Sequence, residues 1–240
     1  MIVLKTNNLT KIYRKRHLGK LYANLAVNNI NLEVKENEIY GLIGLNGSGK
    51  TTTIKLILGL LFPTSGEIFV FGQKMPNRNM LSKIGYLPET PYFQRYLTGK
   101  EILNFYCQLT KIEFADIRIK EVTEIVQLGE NINKRINEYS KGMLQRLAIA
   151  QSLLHNPSLL IFDEPVSGLD PVGIREIRNF IKLMKSQGKT IFFSSHLISE
   201  VEKICDRVGI LHKGELKRVI DHKEWELKSL EEIFLETIEK

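Results

Sequence analysis

The sequence contains no uninterrupted run of the roughly 18–20 apolar residues that a membrane-spanning helix needs. Its longest candidate, Ile54 to Phe62, is short and carries Lys55. The opening Met-Ile-Val-Leu-Lys-Thr lacks the basic-then-apolar shape of a secretory leader, so a cytoplasmic protein is expected. Cysteine is scarce: Cys107 and Cys205 lie far apart with no CxxC spacing, which argues for reduced thiols in a helical core and against a zinc site. Proline and glycine number only 7 and 17, and no repeat or low-complexity stretch is visible, so neither a disordered nor a solenoid chain is indicated. What is present is an ordinary folded composition, 43% apolar and 25% charged over 240 residues, enough for one sizeable core. The net charge of +7 includes a local run, Lys11, Arg14, Lys15, Arg16 and Lys20. Such a run suits nucleic acid, an anionic bilayer surface, or simply a solvated face.

Hydrophobic periodicity divides the chain. The first ninety residues read mostly as strands: Ile30, Leu32 and Val34 alternate with polar neighbours, and Glu38 to Ile43 is a buried run ending in glycine. A helix is predicted from Lys50 to about Leu60, followed by strands at Glu67 to Phe71 and Ile84 to Leu87. From Pro88 to Asn156 the pattern is helical. Ile102, Phe105, Tyr106 and Leu109 form one predicted apolar stripe, with Thr98 and Glu101 spaced as a capping box. Ile119, Val122 and Val126 mark a second helix, and Lys141 to His155 a third. Strands return at Leu159 to Asp163 and Thr190 to Ser194. Between them Asp170-Pro171 starts a helix whose stripe is Ile174, Ile177, Phe180, Ile181 and Met184, and which Gly188 ends. Lys213-Gly214 signals a hairpin between Val208 to Leu211 and Leu216 to Ile220. A small amphipathic helix behind a Ser229/Glu232 capping pair closes the chain. The expected fold is α/β, a P-loop NTPase core with a mostly parallel sheet, antiparallel strands early and late, and an inserted α-helical subdomain. The expected division is 1–87 with 157–220 as nucleotide-binding core, 88–156 as helical subdomain, and 221–240 as helical tail.

Two motifs carry chemistry. Gly44-Leu45-Asn46-Gly47-Ser48-Gly49-Lys50-Thr51, continuing into Thr52, is a complete GxxxxGKT between a predicted strand and a predicted helix. Glycines let the backbone wrap phosphate, loop N–H groups and a helix N-terminus point at it, Lys50 supplies charge, and the Thr51 hydroxyl suits Mg²⁺. Leu159 to Phe162 is an apolar strand that delivers Asp163 and Glu164 at its C-terminal end, where open α/β sheets bind ligands. Asp163 suits the Mg²⁺ shell, and Glu164 suits a base that orients or deprotonates water.

With these in order, the chain resembles the nucleotide-binding subunit of an ABC transporter along nearly its whole length. The resemblance implies ATP and Mg²⁺ as cofactors and an ATPase activity. It implies that Tyr13 stacks on adenine, and that Ser140, Lys141, Gly142 and Met143, within Tyr139-Ser140-Lys141-Gly142-Met143, form a degenerate signature aimed at an opposite nucleotide. Tyr, Lys and Met stand there where the family has Leu, Gly and Gln. Ser167, Gly168, Leu169 and Asp170 match the D-loop, and His196 the switch histidine that contacts the γ-phosphate. Glu89 stands where the family usually has a glutamine that touches Mg²⁺, and a carboxylate can still ligate a hard cation. The family pattern further implies a head-to-tail dimer with a second ATPase domain, identical or paralogous, and a separate integral-membrane permease. The aromatic stretch Pro91 to Tyr96 is a candidate permease anchor. The Glu89 loop, the YSKGM form and the short tail resemble the exporting branch, whereas import domains often carry a further C-terminal domain. The rival readings are an ABC-type ATPase acting on nucleic acid or ribosomes, not the expected partner, and a small-molecule kinase.

Overall fold

The computed structural model describes residues 1–17, 20–226 and 228–239, without the side chains of Lys15, His17 and Leu21. Lys15 of the basic run therefore lies outside the described side chains, as do Leu227 and Lys240 of the expected tail. Two long strands, β1 (Ile2–His17) and β2 (Lys20–Lys35), open the chain as an antiparallel pair, and β3 (Ile39–Ile43) leads to α1 (Lys50–Ile57). β4 (Ser65–Val70), β5 (Gln73–Lys74), the short α2 (Arg78–Leu81) and β6 (Ile84–Leu87) follow. The next stretch is helical: α3 (Gly99–Thr110), α4 (Ala115–Ile125), two 3₁₀ turns (Gly129–Asn133 and Ile136–Glu138) and α5 (Lys141–Leu153). After β7 (Leu159–Asp163) come α6 (Pro171–Ser186), β8 (Thr190–Ser195) and α7 (Ile198–Glu202). The chain finishes with β9 (Arg207–His212), β10 (Glu215–Asp221), α8 (His222–Trp225) and α9 (Leu230–Ile238).

The strands form a four-stranded antiparallel sheet, β2-β1-β4-β5, and a six-stranded sheet, β10-β9-β3-β8-β7-β6, parallel except for β10. Strands β3, β7 and β8 at the centre of the larger sheet are buried throughout because both faces are covered, whereas the edge strand β10 is largely exposed. Side chains alternate across the sheet with period two. Ile39, Ile43, Leu160, Phe162, Ile191 and Phe193 pack with Ile102, Ile149, Ile177 and Phe180 of the helices. Tyr40, Leu42, Leu159, Ile161 and Phe192 face the other way, toward Leu4, Leu32, Ile54 and Val70 of the smaller sheet and α1. Burying a ring such as Phe162, 6.2 Å from Phe180, contributes about 2–3 kcal/mol. This two-sided burial holds the C-terminal ends of β3, β7 and β8 at one edge, and the functional residues follow those ends.

The helix signals locate their elements well. Thr98 and Glu101 make the expected capping box, and Asp170 accepts Gly173 N–H at 2.7 Å to start α6. The predicted stripe on α3 is rotated in the structure. Ile102, Leu103 and Cys107 are buried, whereas Phe105 and Leu109 are exposed, because α4 and the first 3₁₀ turn cover the Leu103 side. Cys205 is buried as expected but sits in the turn after α7 and outside any helix. Among the described residues no helix is long and apolar enough to cross a membrane.

Candidate functional site

The phosphate loop begins where β3 is released from the sheet. Gly44 cannot carry a side chain, since a Cβ would run into the Leu211 carbonyl oxygen. Gly49 sits at φ +109 with the Ala26 carbonyl in the same place. The loop is therefore pressed against the β9–β10 hairpin and β2, and Gly214 N–H donates to Ser48 O at 2.9 Å. The Lys50 side chain folds back along the loop, donating to Gly44 O at 2.8 Å and reaching Glu164 Oε1 at 3.2 Å. Both side chains are 6% exposed. A buried charge needs such a partner, and three oxygens share this ammonium. The Ser48 hydroxyl is buried within the loop and has no hydrogen-bond partner among the described residues. A loop of inward N–H groups with an unspent hydroxyl and a lysine fits a polyphosphate.

β7 supplies the carboxylates. Asp163, 1% exposed, accepts Thr51 Oγ1–H at 3.2 Å and Ser194 Oγ–H at 2.7 Å on the same oxygen. Ser194 Oγ accepts Glu164 N–H at 3.0 Å. Glu164 stands at φ +49, a backbone strain that a glutamate adopts rarely and that neighbouring bonds must hold. Its Oε2 accepts both the backbone N–H of His196 at 3.2 Å and Nδ1 at 2.7 Å, so a charged Glu164 keeps the imidazole proton on Nδ1. Tyr86, half-buried next to these groups, has its phenol pushed up to about 12 by burial and by the Asp163 carboxylate. It stays protonated beside them.

A cleft of about 660 Å³ gathers Tyr13, Asn46, Gly47, Ser48, Gly49, Lys50, Thr51, Thr52, Glu89, Glu164, Ser167 and His196. Gly44 and Leu45 lie beneath as oxygen partners of Lys50, and Asp163 beneath Thr51. Glu89 is exposed at the rim and forms no bond to Thr51 or Asp163. The signature residues are elsewhere. Ser140, Lys141, Gly142 and Met143 line a second cleft of about 630 Å³, together with Gly168, Leu169 and Asp170. Here Ser140 caps α5, its Oγ accepting Met143 N–H at 3.2 Å, so the N-termini of α5 and α6 open on one hollow. Tyr139 is buried, its OH donating to Asn131 O at 2.8 Å, and burial pushes that phenol up to about 12. The expected D-loop thus links the clefts, Ser167 in one and the next three residues in the other.

Several structural partners escaped the sequence reading. Ser194 bonds both carboxylate residues, Gln145 Nε2–H donates to Pro165 O at 2.8 Å from α5, and Asn24 and Ala26 wall the first cleft. Only Ser194 left a signal, a hydroxyl ending an apolar strand two residues before His196.

A family model described as ABC transporter matches residues 27–167. The chain belongs to the ABC transporter family. It is an ATP-binding, ATP-hydrolysing subunit of that family, and the nucleic-acid alternative is not favoured. The bacitracin transport ATP-binding protein BcrA of Bacillus licheniformis is 44% identical over 225 residues, which cover 92% of this chain and 71% of that protein. An uncharacterised ABC transporter ATP-binding protein of Nostoc sp. is 42% identical, covering 89% of this chain and 65% of its own length. The chain thus spans about two thirds to seven tenths of these relatives. Among solved structures, an ATP-binding subunit of an ABC transporter is 29% identical with a TM-score of 0.82, over 98% of this chain and 99% of that one. A dimeric post-hydrolysis ATP-binding cassette bound to ADP and Pi is 28% identical with a TM-score of 0.80, over 91% of this chain and 98% of that one.

Proposed function

We propose that this ABC ATPase hydrolyses ATP between two cassettes packed head to tail, and that the cycle drives a separate membrane permease in the direction of export. The observation that carries the reading is the separation of the two clefts. The carboxylates and phosphate loop line one, the two helix N-termini line the other, and the pair share no lining residue. A second ATPase domain, identical or paralogous, would bring its Ser140-to-Met143 hollow over the nucleotide held here.

In this reading Tyr13 stacks on adenine, and the loop from Gly44 to Thr52 wraps the phosphates. Lys50 turns from Glu164 to the β- and γ-phosphates, which frees Glu164 to take a proton from the attacking water. His196 keeps the Glu164 carboxylate aimed and carries its own polar edge to the γ-phosphate. Ser167 to Asp170 couple the first cleft to the second. Thr51 and Asp163 fit Mg²⁺, since hydroxyl and carboxylate already converge there, with Glu89 as an outer ligand; the ion would neutralise charge on the transferring phosphoryl group. Among the described residues no cluster of three acidic, histidine or cysteine side chains would hold a metal alone.

Residues 1–87 and 157–220 would act as the nucleotide-binding core, 88–156 as the moving helical subdomain, and 221–240 as the tail. Tyr92 and Tyr96, 79% and 70% exposed beside the Glu89 loop, suit anchors for the permease, which would hold the chain on the inner face of the membrane. The relative named for bacitracin transport supports a transport role, while cargo choice would reside in the permease.

Size-exclusion chromatography of Glu164→Gln with and without Mg-ATP tests the reading. A shift from monomer to dimer with ATP retained and turnover lowered ~10²–10⁴-fold is expected. A monomer that holds ATP overturns the pairing of identical chains and leaves a paralogous domain or the permease to close the site, and wild-type turnover overturns the base.

A further inference from the structure

The basic run forms one end of a ribbon that no other strand supports. β4 ends its pairing with β1 at Thr10↔Ser65, yet β1 and β2 continue as a regular ladder through Tyr13↔Asn24, Arg14↔Ala23 and Arg16↔Leu21 to His17↔Lys20. Lys11, Ile12, Tyr13 and Asn24 still touch the body or line the first cleft, and beyond Tyr13 the ribbon runs about four residues further, roughly 13 Å at about 3.3 Å per residue. That exceeds the roughly 8 Å over which salt screens a charge, so acids on the body do little to offset it.

Charge along this segment is one-sided. From Thr6 to Leu32 the chain carries Lys11, Arg14, Lys15, Arg16 and Lys20 and no aspartate or glutamate. Lys11 is engaged, donating to Phe62 O at 2.7 Å. Arg14, Arg16 and Lys20 are exposed, and no carboxylate among the described residues pairs with them. Nucleotide does not account for the arginines. Tyr13 and Asn24 sit opposite one another at the first cleft, and strand alternation puts Arg14 and Arg16 on the other face of the ribbon, with Lys20 and Tyr22 on the Tyr13 face nearer its end. Tyr22, 56% exposed, adds an amphipathic ring of the kind favoured at membrane interfaces.

We infer that the β1–β2 ribbon is a contact arm for the anionic headgroups of the bilayer, with Arg14, Arg16 and Lys20 as its charges. A subunit of a transporter family works within reach of that surface, and a few unpaired cations spread over both faces of a narrow ribbon end match a headgroup layer that can surround it. A nucleic-acid site would need a longer charged track with several stacking rings. The inference is independent of the dimer and of the base assigned above.

Sedimentation of the whole purified chain with lipid vesicles tests it. Binding is expected to vesicles containing one third phosphatidylglycerol, to fall as salt rises, and to be absent with phosphatidylcholine alone. The combined R14Q, R16Q and K20Q variant should bind roughly 10²-fold more weakly while keeping its ATPase rate without lipid. Should that variant melt early, R16Q alone reads the same contact as a roughly fivefold loss. Equal binding to neutral vesicles, no loss in the variants, or a preference for RNA over anionic vesicles at physiological salt would each overturn the inference.

Discussion

The two clefts are built on opposite plans. In the first, the functional side chains bond to one another across α1 and the ends of β7 and β8: Lys50 to Glu164, Glu164 to His196, and Thr51 and Ser194 to Asp163. In the second, the two caps bond inside their own helix starts, Ser140 to Met143 and Asp170 to Gly173, and the one side-chain tie across it among the described residues is Arg146 to Glu176 at 2.6 Å, a turn further along α5 and α6. A network spanning several elements fixes geometry for chemistry, and a pair of self-contained helix starts presents a surface that needs something brought to it. Substitutions should therefore spread through the first cleft and stay local in the second.

The largest effect should come from Lys50→Met. It removes the phosphate charge and strands a buried carboxylate, so ATP binding is lost, and stability falls by up to about 3–5 kcal/mol. The combined K50M and E164Q variant should recover much of that stability, which thermal melts of the four proteins in the cycle would read. Additive losses would show that the pair is not coupled. Next, Ser194→Ala leaves the Glu164 N–H and one Asp163 bond unmet. At about 1–3 kcal/mol for an orphaned buried group, kcat should drop roughly 5- to 150-fold with ATP affinity nearly unchanged. Affinity falling in parallel with rate would place Ser194 in binding instead. Ser140→Ala probes the other plan: monomer affinity for ATP, measured by calorimetry, should hold while ATP-driven dimerisation weakens. Smallest is Thr98→Ala, remote from both clefts, costing about 0.5–2 kcal/mol of stability through the lost cap with ATPase intact. Glu101 is a reporter there. The Thr98 backbone and side-chain bonds hold its carboxyl below the ordinary value, so its contribution is present above that value and is lost as acid titrates the folded group. The variant should move this titration part of the way back up.

Residues that act through local rules were legible in the sequence. GxxxxGKT, the acidic end of an apolar strand, Asp170-Pro171 and the Thr98/Glu101 pair each state their conformation within a few positions, and the structure has them there. The sheet strands were legible because a strand covered on both faces must be apolar throughout. What stayed hidden depends on packing across the chain. The α3 stripe was misaligned because Phe105, Leu109, Leu103 and Cys107 are all apolar, so the apolar arc of α3 is wider than one stripe and period alone cannot select its buried centre. Ser194, Gln145 and Gly214 matter through partners on other elements, to which no local spacing points. The division of the site into two clefts was implied only by resemblance, since motif order says nothing about which motifs meet.

The bond from Gly214 to Ser48 also sets a schedule for synthesis. β3 is flanked in the sheet by β8 and β9, pairing through Ile39↔Ile191 and Tyr40↔Arg207, and the phosphate loop leans on the hairpin that follows. At roughly 5–20 residues per second, a ribosome makes the loop on the order of ten seconds before it makes the strands that hold it. The nascent segment carries an intact GxxxxGKT throughout that interval with β2 behind it but without the hairpin or the flanking strands that press it from the other side. Stabilisation by nucleotide is therefore expected to come mainly after the hairpin is in place, late in synthesis.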